Sequence, residues 1–304
     1  MITSYSQLVD QVKKEPRKTI AVAMAQDDDV LVAVEKAYDA GIADAVLVGD
    51  QNEIRARASD LGVDLSKFDI INETDEKRSV VRAIQFIRGG LANTLMKGKC
   101  NSSTLLRGVL DKDLGLRAGN LLSHLGVFEV PNYHKLLLMS DGAINISPDL
   151  QTKKTIIENA VLAAHKLGNK KPKVALIAAI EKVNPESMPC TVDAALLSKM
   201  GSRGQIKNAI IDGPFALDNA VDPHSCEVKG IKSAVGGDAD ILIMPDIEVG
   251  NCFYKALACL VHSKTAGIIV GAKVPIILTS RADSDETKFL SIALAAYLSR
   301  SHSL

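Results

Sequence analysis

The stretch that decides the fold class reads Pro275-Ile276-Ile277-Leu278-Thr279-Ser280-Arg281-Ala282-Asp283-Ser284-Asp285-Glu286-Thr287-Lys288. Its apolar first part predicts a short buried strand. The acidic residues that follow favour the first turn of a helix, where free N–H groups carry partial positive charge. Ser280 and Arg281 are therefore expected at the carboxyl end of a strand and the start of a helix. In an open α/β sheet, ligands bind at this edge.

A helix start with an arginine beside it is suited to an anion such as phosphate. A serine-capped helix with an exposed arginine explains the same residues equally well, because serine is a common capping residue. The stretch by itself leaves both interpretations open.

Similar apolar runs, such as 19–25, 94–96 and 241–244, alternate with amphipathic segments such as 76–88 and 152–167. Continuous apolar runs are typical of strands buried on both faces of a sheet. The alternation predicts an α/β protein with a parallel sheet. Breaks in the pattern near 120–134 and 271–275 predict two lobes. The first lobe is expected to comprise 1–126 and 272–304, and the second 127–271.

The composition is that of a globular protein, with 47% hydrophobic and 24% charged residues. Lys+Arg and Asp+Glu both number 36, and this zero net charge argues against a nucleic-acid-binding protein. No secretion pattern opens the chain and no apolar run is long enough to cross a bilayer. The five cysteines are scattered, which predicts reduced thiols, no metal site and a cytoplasmic protein.

Several common catalytic motifs are absent from the sequence. No phosphate loop of the G-x-x-x-x-G-K-[ST] type is present, and no G-x-G-x-x-G follows the first predicted strand. No G-x-S-x-G elbow exists either. Nucleoside triphosphatases, ordinary dinucleotide-binding dehydrogenases and acyl hydrolases of that type are therefore disfavoured.

A second anion-binding segment is predicted at 96–107, directly after an apolar run. Cationic groups, a glycine and hydroxyls at a strand-to-helix turn can hold an anion through backbone N–H groups and side chains. The alternative is a capped helix with Lys97 and Lys99 in solvent. The candidate binding residues here are Lys97, Ser102, Ser103 and Arg107.

Four more segments place polar residues after apolar runs, at 139–145, 184–193, 212–218 and 239–251. Asp141-Gly142 is also a turn signal, so a structural role explains it as well. With Ser280 and Arg281, six strand ends are predicted to face one cleft. The candidate binding residues in these segments are Asp141, Asp246 and Asn251, and Lys255 is a further candidate one helical turn after Asn251.

Taken in order, these segments resemble the phosphate acetyltransferase and phosphate butyryltransferase family over nearly the whole chain. The resemblance implies two α/β lobes with a central cleft, like those of isocitrate/isopropylmalate dehydrogenases, and a homodimer or higher homo-oligomer. It implies transfer of a short acyl group between coenzyme A and inorganic phosphate, and butyryl is the acyl group expected. It implies no tightly bound cofactor and no metal, with acyl-CoA and phosphate or acyl phosphate as the only partners.

Within this resemblance, Ser280 matches the family serine that hydrogen-bonds the CoA sulfur or the developing oxyanion. Arg281 matches the arginine beside it, and Arg107 matches an arginine that binds phosphate. Thr287 stands where the acetyltransferase branch has an aspartate, and the region 78–95 looks shortened. Both departures favour the butyryltransferase branch.

The general base for the CoA thiol is left unassigned by the resemblance. Asp283 is our hypothesis, because it is expected one helical turn from Ser280 on the same face. Its alternative role is to compensate the dipole at the helix start.

Three other interpretations stay open at this level. One is an acetyl-CoA-specific phosphate acetyltransferase, and another is a non-catalytic regulator that binds CoA or acyl phosphate. The third is a metal-dependent decarboxylating dehydrogenase that would use Asp238, Asp240 and Asp246. The apolar stretch 121–128 either lines an acyl pocket or belongs to the core.

Overall fold

The computed structural model describes residues 1–119, 121–280 and 283–300. Its contacts divide the chain into a terminal unit, Tyr5–Asn120 with Lys264–Leu304, and a middle unit, Met1–Ser4 with Leu121–Ser263. The breaks differ from the predicted ones at 126/127 and 271/272. Gly126 lies inside an unbroken strand, Ser123–Glu129, so a boundary there would cut one hydrogen-bonded element.

The terminal unit carries a sheet whose strand order is β3-β2-β1-β4-β11-β10, with elements numbered along the whole chain. Its strands pair in parallel except for β10 and β11, which are antiparallel. The elements are α1 (Tyr5–Val12), β1 (Lys18–Ala23), α2 (Asp28–Asp39), β2 (Ala43–Gly49), α3 (Gln51–Leu61), β3 (Asp69–Asn72), α4 (Glu76–Arg88), β4 (Thr94–Lys97), α5 (Ser102–Val109), β10 (Lys264–Val270), β11 (Ile276–Ile277) and α11 (Asp285–Leu298).

The middle unit carries strands in the order β5-β6-β9-β7-β8. Strands β5 and β6 are antiparallel, and the remaining pairs are parallel. The elements are β5 (Ser123–Glu129), β6 (Leu137–Ser140), α6 (Leu150–Lys166), β7 (Lys173–Ile177), α7 (Cys190–Ser202), β8 (Ile210–Phe215), α8 (Leu217–Val221), α9 (Pro223–Val228), β9 (Ile241–Ile243) and α10 (Ile247–Lys255).

The alternation of strands and helices confirms the predicted α/β class. The sheet pairing is mostly parallel, as expected, but the pairs β5–β6 and β10–β11 are antiparallel. An apolar run shows that a strand is buried, whereas its direction depends on the connection to its partner. The segments 130–136 and 271–275 hold no helix, and such short links join antiparallel strands. None of the helices in the described ranges combines the length and apolar character needed to span a bilayer.

Candidate functional site

Three neighbouring strands of the terminal unit bring the segments around Lys97 and Ser280 to one sheet edge. Strand β4 pairs in parallel with β1, where Lys97 lies opposite Ala23. On its other side β4 pairs in parallel with β11, where Met96 lies opposite Ile277. Because all three strands run in the same direction, the loops that follow them leave from the same edge of the sheet.

Helix α5 begins at this edge without a capping side chain. Asn101 occupies the capping position, but its amide donates to the Glu76 carboxylate at 3.2 and 3.3 Å instead. The first turn holds no acidic residue, and Ser102 and Ser103 are exposed. The first N–H groups of a helix have no intrahelical acceptor, so this helix start can take an anion.

Arg107 lies four residues after Ser103 on the same helix and is exposed. Residues four apart share a helix face, and long helical side chains lean towards the N-terminus. The guanidinium can therefore reach the region in front of the α5 helix start. Backbone N–H groups and an arginine fork are the donors that phosphate sites commonly use, and the predicted phosphate contact of Arg107 stays a prediction.

Lys97 is buried rather than in solvent, so the alternative that placed it in solvent was wrong. Its side chain is 5% exposed, and its ammonium donates to the carbonyls of Gly98 and Cys100 at 3.1 and 3.5 Å. Lys99 is exposed and pairs with Glu53. Lys97 thus shapes the loop from inside, and its predicted contact with substrate stays a prediction.

The thiol of Cys100 lies in the same loop and is fully buried. Burial raises the pKa of this thiol to about 11, although the nearby Lys97 ammonium acts in the opposite direction. A thiol with such a pKa is protonated at neutral pH and is a poor nucleophile. Cys100 is therefore part of the packing beneath the loop.

Ser280 lies in a connecting segment and not at the start of the helix, which corrects the sequence prediction. Strand β11 ends at Ile277 and α11 begins at Asp285. Ser284 is the capping residue, because its hydroxyl accepts the N–H of Thr287. Arg281 lies outside the described residues, so its role stays a prediction.

Asp283 is bonded to Ser280 through the backbone. The Ser280 N–H donates to a carboxylate oxygen of Asp283 at 2.7 Å, and the Asp283 N–H donates to the Ser280 carbonyl at 3.1 Å. The two residues are therefore joined by two direct hydrogen bonds, and they do not occupy two positions on one helix face. This contact gives Asp283 a structural task, and its service as a general base stays a prediction.

Asp141 in the middle unit organises a turn at the end of β6. One carboxylate oxygen accepts the N–H groups of Ala143 and Ile144 at 2.8 and 2.9 Å. The other accepts the N–H of His124 at 3.0 Å and the amide of Asn145 at 2.7 Å. The side chain is 3% exposed. This geometry favours the structural role over direct contact with substrate.

Helix α10 packs directly on the Asp141 turn through a glycine. A Cβ at Gly250 would lie 2.2 Å from the Asp141 carbonyl oxygen and 3.0 Å from the Cα of Gly142. Asn251 donates to the Gly142 carbonyl at 3.1 Å. The structure therefore joins Asp141 and Asn251, because β6 and β9 are parallel neighbours whose ends share one edge.

Asp246 and Lys255 mark opposite ends of α10 and are not brought together. Asp246 caps the helix by accepting the Val249 N–H at 2.9 Å. Lys255 is the last residue of the helix, with its ammonium 5.5 Å from the centre of the Tyr254 ring. A helix rises about 1.5 Å per residue, so the two side chains cannot bind the same small group.

A cavity of about 580 Å³ opens beside Asp246 at the carboxyl ends of β7 and β9. Its walls are mostly apolar, with Met188, Pro189 and Val249 among them. Within it, the buried Lys153 ammonium pairs with Asp193 at 2.7 Å. Such a mostly apolar cavity with a few fixed polar groups is the usual form of a small-molecule site.

Of the three aspartates expected of a metal-dependent dehydrogenase, Asp238 and Asp240 pair with lysines and Asp246 caps α10. Lys135 bridges Asp238 and Asp240 at 2.7 Å each, and Lys173 pairs with Asp238 at 2.7 Å. Burial works to raise the pKa of Asp238, but the hydrogen bonds from the two lysines outweigh it and hold the pKa at about 2. Among the described residues, no three His, Cys, Asp or Glu side chains form a metal-binding group.

The stretch 121–128 belongs largely to the core, as its second interpretation expected. Strand β5 is buried along nearly its whole length. Phe128 is fully buried, and its ring meets that of Tyr254 edge-on at 5.3 Å.

Sequence reasoning missed two buried polar residues that support the site. Ser79 on α4 is fully buried, accepts the Met24 N–H at 3.0 Å and donates to the Val48 carbonyl at 3.2 Å. It thereby fixes the left-handed Met24, whose φ is 54°, at the end of β1. Lys288 is buried beneath the Ser280 segment. Neither stands in a recognisable motif, and no local pattern identifies them.

The sequence model of the family described as "Phosphate acetyl/butaryl transferase" matches residues 4–85 and 77–296. The chain belongs to this family. The family predicted from the sequence is thereby confirmed.

Two relatives of the phosphate acetyl/butyryl transferase family match almost end to end. The phosphate butyryltransferase of Clostridium acetobutylicum is 48% identical over 97% of this chain and 98% of its own length. The phosphate acetyltransferase of Thermotoga maritima is 45% identical over 95% and 97%. A branched-chain phosphotransacylase structure from Enterococcus faecalis V583 superposes with a TM-score of 0.84 at 33% identity, covering 94% of this chain and all of that one.

Proposed function

We propose that the protein catalyses acyl-CoA + phosphate ⇌ acyl phosphate + CoA, with butyryl as the group transferred. Family membership supports this reaction. The observation that supports it structurally is the parallel pairing of β1, β4 and β11, since the Ser280 segment and the uncapped start of α5 both follow strands at this sheet edge. Coenzyme A takes part as a substrate, and the reaction needs no tightly bound cofactor.

The first step is the binding of phosphate with its charge compensated. The N–H groups at the start of α5 around Ser102 and Ser103 and the guanidinium of Arg107 are the donors we assign to it. Arg281 is assigned a second contact on the grounds of the family resemblance. Phosphate at neutral pH is already a nucleophile, so the protein mainly positions it and offsets its charge.

The second step is attack of a phosphate oxygen on the thioester carbonyl. The new C–O bond forms as the carbonyl oxygen takes up negative charge. When the C–S bond breaks, its electron pair leaves with the CoA sulfur as a thiolate. The Ser280 hydroxyl is assigned to donate to that sulfur or to the oxyanion, where a preorganised donor lowers the barrier.

The decisive assay follows CoA release from acetyl-, butyryl- and isobutyryl-CoA with a thiol reagent, with and without phosphate. Release that depends on phosphate is the expected result. The ranking of the three rates distinguishes a butyryltransferase from an acetyltransferase, and relatives with each of these names match the chain. Release from none of them, with CoA still bound, would instead favour the non-catalytic regulator.

Replacing Arg107 with alanine is expected to raise the KM for phosphate by about 10- to 100-fold. A charge-assisted hydrogen bond contributes roughly 1.5–3 kcal/mol, and the exposed side chain has little part in the packing. Initial rates over a range of phosphate concentrations measure this. Arg55→Ala removes an exposed arginine from α3 of the same unit and should leave the KM unchanged. An unchanged phosphate KM in Arg107→Ala would contradict the assignment.

We also propose that the cavity beside Asp246 binds an apolar part of acyl-CoA. Val249→Trp should fill its mouth, because the valine lines it and is 42% exposed. We expect the KM for butyryl-CoA to rise by about tenfold, a loss of about 1.4 kcal/mol in binding, with the KM for phosphate unchanged. The same substitution at exposed Val183, which does not line the cavity, is the control. Equal KM values in both variants would place the acyl-CoA elsewhere.

The remaining expectations from the resemblance are also proposals. They are an isocitrate/isopropylmalate dehydrogenase-like arrangement of two lobes, a homodimer or higher homo-oligomer, and a cytoplasmic location. Light scattering of the purified protein tests the oligomeric state.

A further inference from the structure

Lys288 is a buried lysine at the start of a helix, where its positive charge is unfavourable. It lies in the first turn of α11 and is 2% exposed, among the largest fully buried side chains of the protein. Burying an ammonium group is costly unless it is paired. The partial positive charge at a helix start adds to that cost. An apolar side chain at this position would avoid both penalties.

Two contacts compensate the buried charge, and one of them is with the segment before α11. The ammonium donates to the backbone carbonyl of Asp283 at 2.5 Å. It also pairs with the carboxylate of Asp29 in the first turn of α2 at 3.1 Å. Helical side chains lean towards the N-terminus, which explains how Lys288 reaches back past Ser284 to Asp283.

The same Asp283 holds Ser280 through its side chain. Its carboxylate accepts the Ser280 N–H at 2.7 Å, and its own N–H donates to the Ser280 carbonyl. Lys288, Asp283 and Ser280 thus form one chain of hydrogen bonds. The chain starts from an ion pair between two helices and ends at the backbone of the proposed catalytic serine.

We propose that Lys288 is a positioning residue that fixes the Ser280 backbone through Asp283. This inference rests on the proposed function, in which the Ser280 hydroxyl acts on the sulfur or the oxyanion. An ion pair between a buried lysine and a half-exposed aspartate contributes little net stability. The geometry therefore indicates that the lysine holds the Ser280 backbone in one position and contributes less to the stability of the fold.

The test compares Lys288→Met with the wild type. Methionine keeps the unbranched stem and removes the charge. We expect kcat to fall about 10- to 100-fold, because a small misplacement of a reacting group lowers the rate by this order. The KM for butyryl-CoA and the Tm should change little. Lys36→Met is the matched control, because exposed Lys36 also pairs from α2 to α11 but does so with Asp285, which is not part of the Ser280–Asp283 hydrogen bonds.

Asp29→Ala serves as a second variant, since Asp29 is half exposed in the pair and its replacement should fold. We expect a smaller loss of kcat, about 3- to 10-fold, in the same direction. A kcat within twofold of the wild type in folded Lys288→Met overturns the proposal. If Lys288→Met does not fold, a wild-type kcat in Asp29→Ala overturns it and a lowered kcat supports it.

The wild type separates failure of this inference from failure of the proposed function. Wild-type protein that releases no CoA in the presence of phosphate overturns both. Active wild type with fully active Lys288→Met overturns only the positioning role. A loss of kcat in Lys288→Met but not in Lys36→Met is the result that supports it.

Discussion

Replacing Ser280 with alanine is expected to lower kcat for phosphate-dependent CoA release by about 10² to 10³. This is the usual loss when one preorganised donor to a developing negative charge is removed. The backbone of Ser280 is held by Asp283 through two hydrogen bonds, so the alanine should keep the local fold. The KM for phosphate should change little, because the hydroxyl acts on the sulfur or the oxyanion. Steady-state rates over both substrates measure the two effects.

Ser284→Ala is the matched control for this prediction. Ser284 lies four residues later and caps α11 through the Thr287 N–H at 3.2 Å. Its loss should cost about 1 kcal/mol of unfolding free energy and leave kcat intact. If Ser280→Ala keeps the wild-type kcat, the hydroxyl has no part in the chemistry and the mechanism proposed above is wrong.

Replacing Gly98 with alanine is expected to damage both stability and activity. A Cβ there would lie 2.1 Å from the carbonyl oxygen of Met24 and 2.9 Å from that of Ala23. Both obstacles are backbone, which cannot rotate away. The hydrogen bonds from Gly98 and Lys99 to these carbonyls, at 2.9 and 2.7 Å, would have to lengthen or break. Overpacking of this kind costs about 1–3 kcal/mol and occasionally more.

The effect of Gly98→Ala on activity follows from its position. Gly98 connects β4 to the start of α5, so a displaced loop also displaces the N–H groups assigned to phosphate. A shift of about 1 Å can lower the rate about 10²-fold. Thermal unfolding and kcat/KM for phosphate measure the two losses.

Gly89→Ala is the control, because its new Cβ would come no closer than 3.3 Å to another atom and its φ of −78° suits alanine. Wild-type Tm and kcat/KM in Gly98→Ala would show that the loop yields easily. In that event the exact position of the loop between β4 and α5 does not matter for phosphate binding.

Much of the fold could be read from local sequence because strand burial and helix amphipathicity leave periodic patterns. The predicted amphipathic segment 76–88 corresponds to α4, and the predicted strand 94–96 to β4. Strand β5 was harder to recognise. Its glycine and histidine interrupt the apolar pattern. The glycine has a packing reason, because a Cβ at Gly126 would lie 3.0 Å from the Phe128 ring and 3.1 Å from the Tyr254 ring.

The candidate site was predicted only in outline. Motifs at strand ends identified Arg107, Ser280 and Asp283, since small, polar and charged residues after an apolar run are visible in the sequence. The same motifs did not reveal that the Asp141 carboxylate accepts hydrogen bonds from backbone N–H groups or that Lys97 is buried. Direction and burial of a side chain depend on neighbours that are distant in sequence.

The amino-acid sequence by itself determined the α/β class, the family and the segments that carry chemistry, because these depend on residues close together along the chain. Only the tertiary structure decided that β11 lies between β4 and β10 and that Lys288 reaches Asp29. The partners in the strand pairing and in the Lys288–Asp29 ion pair are far apart in sequence. Their contacts arise from packing the whole unit, which local propensity does not encode.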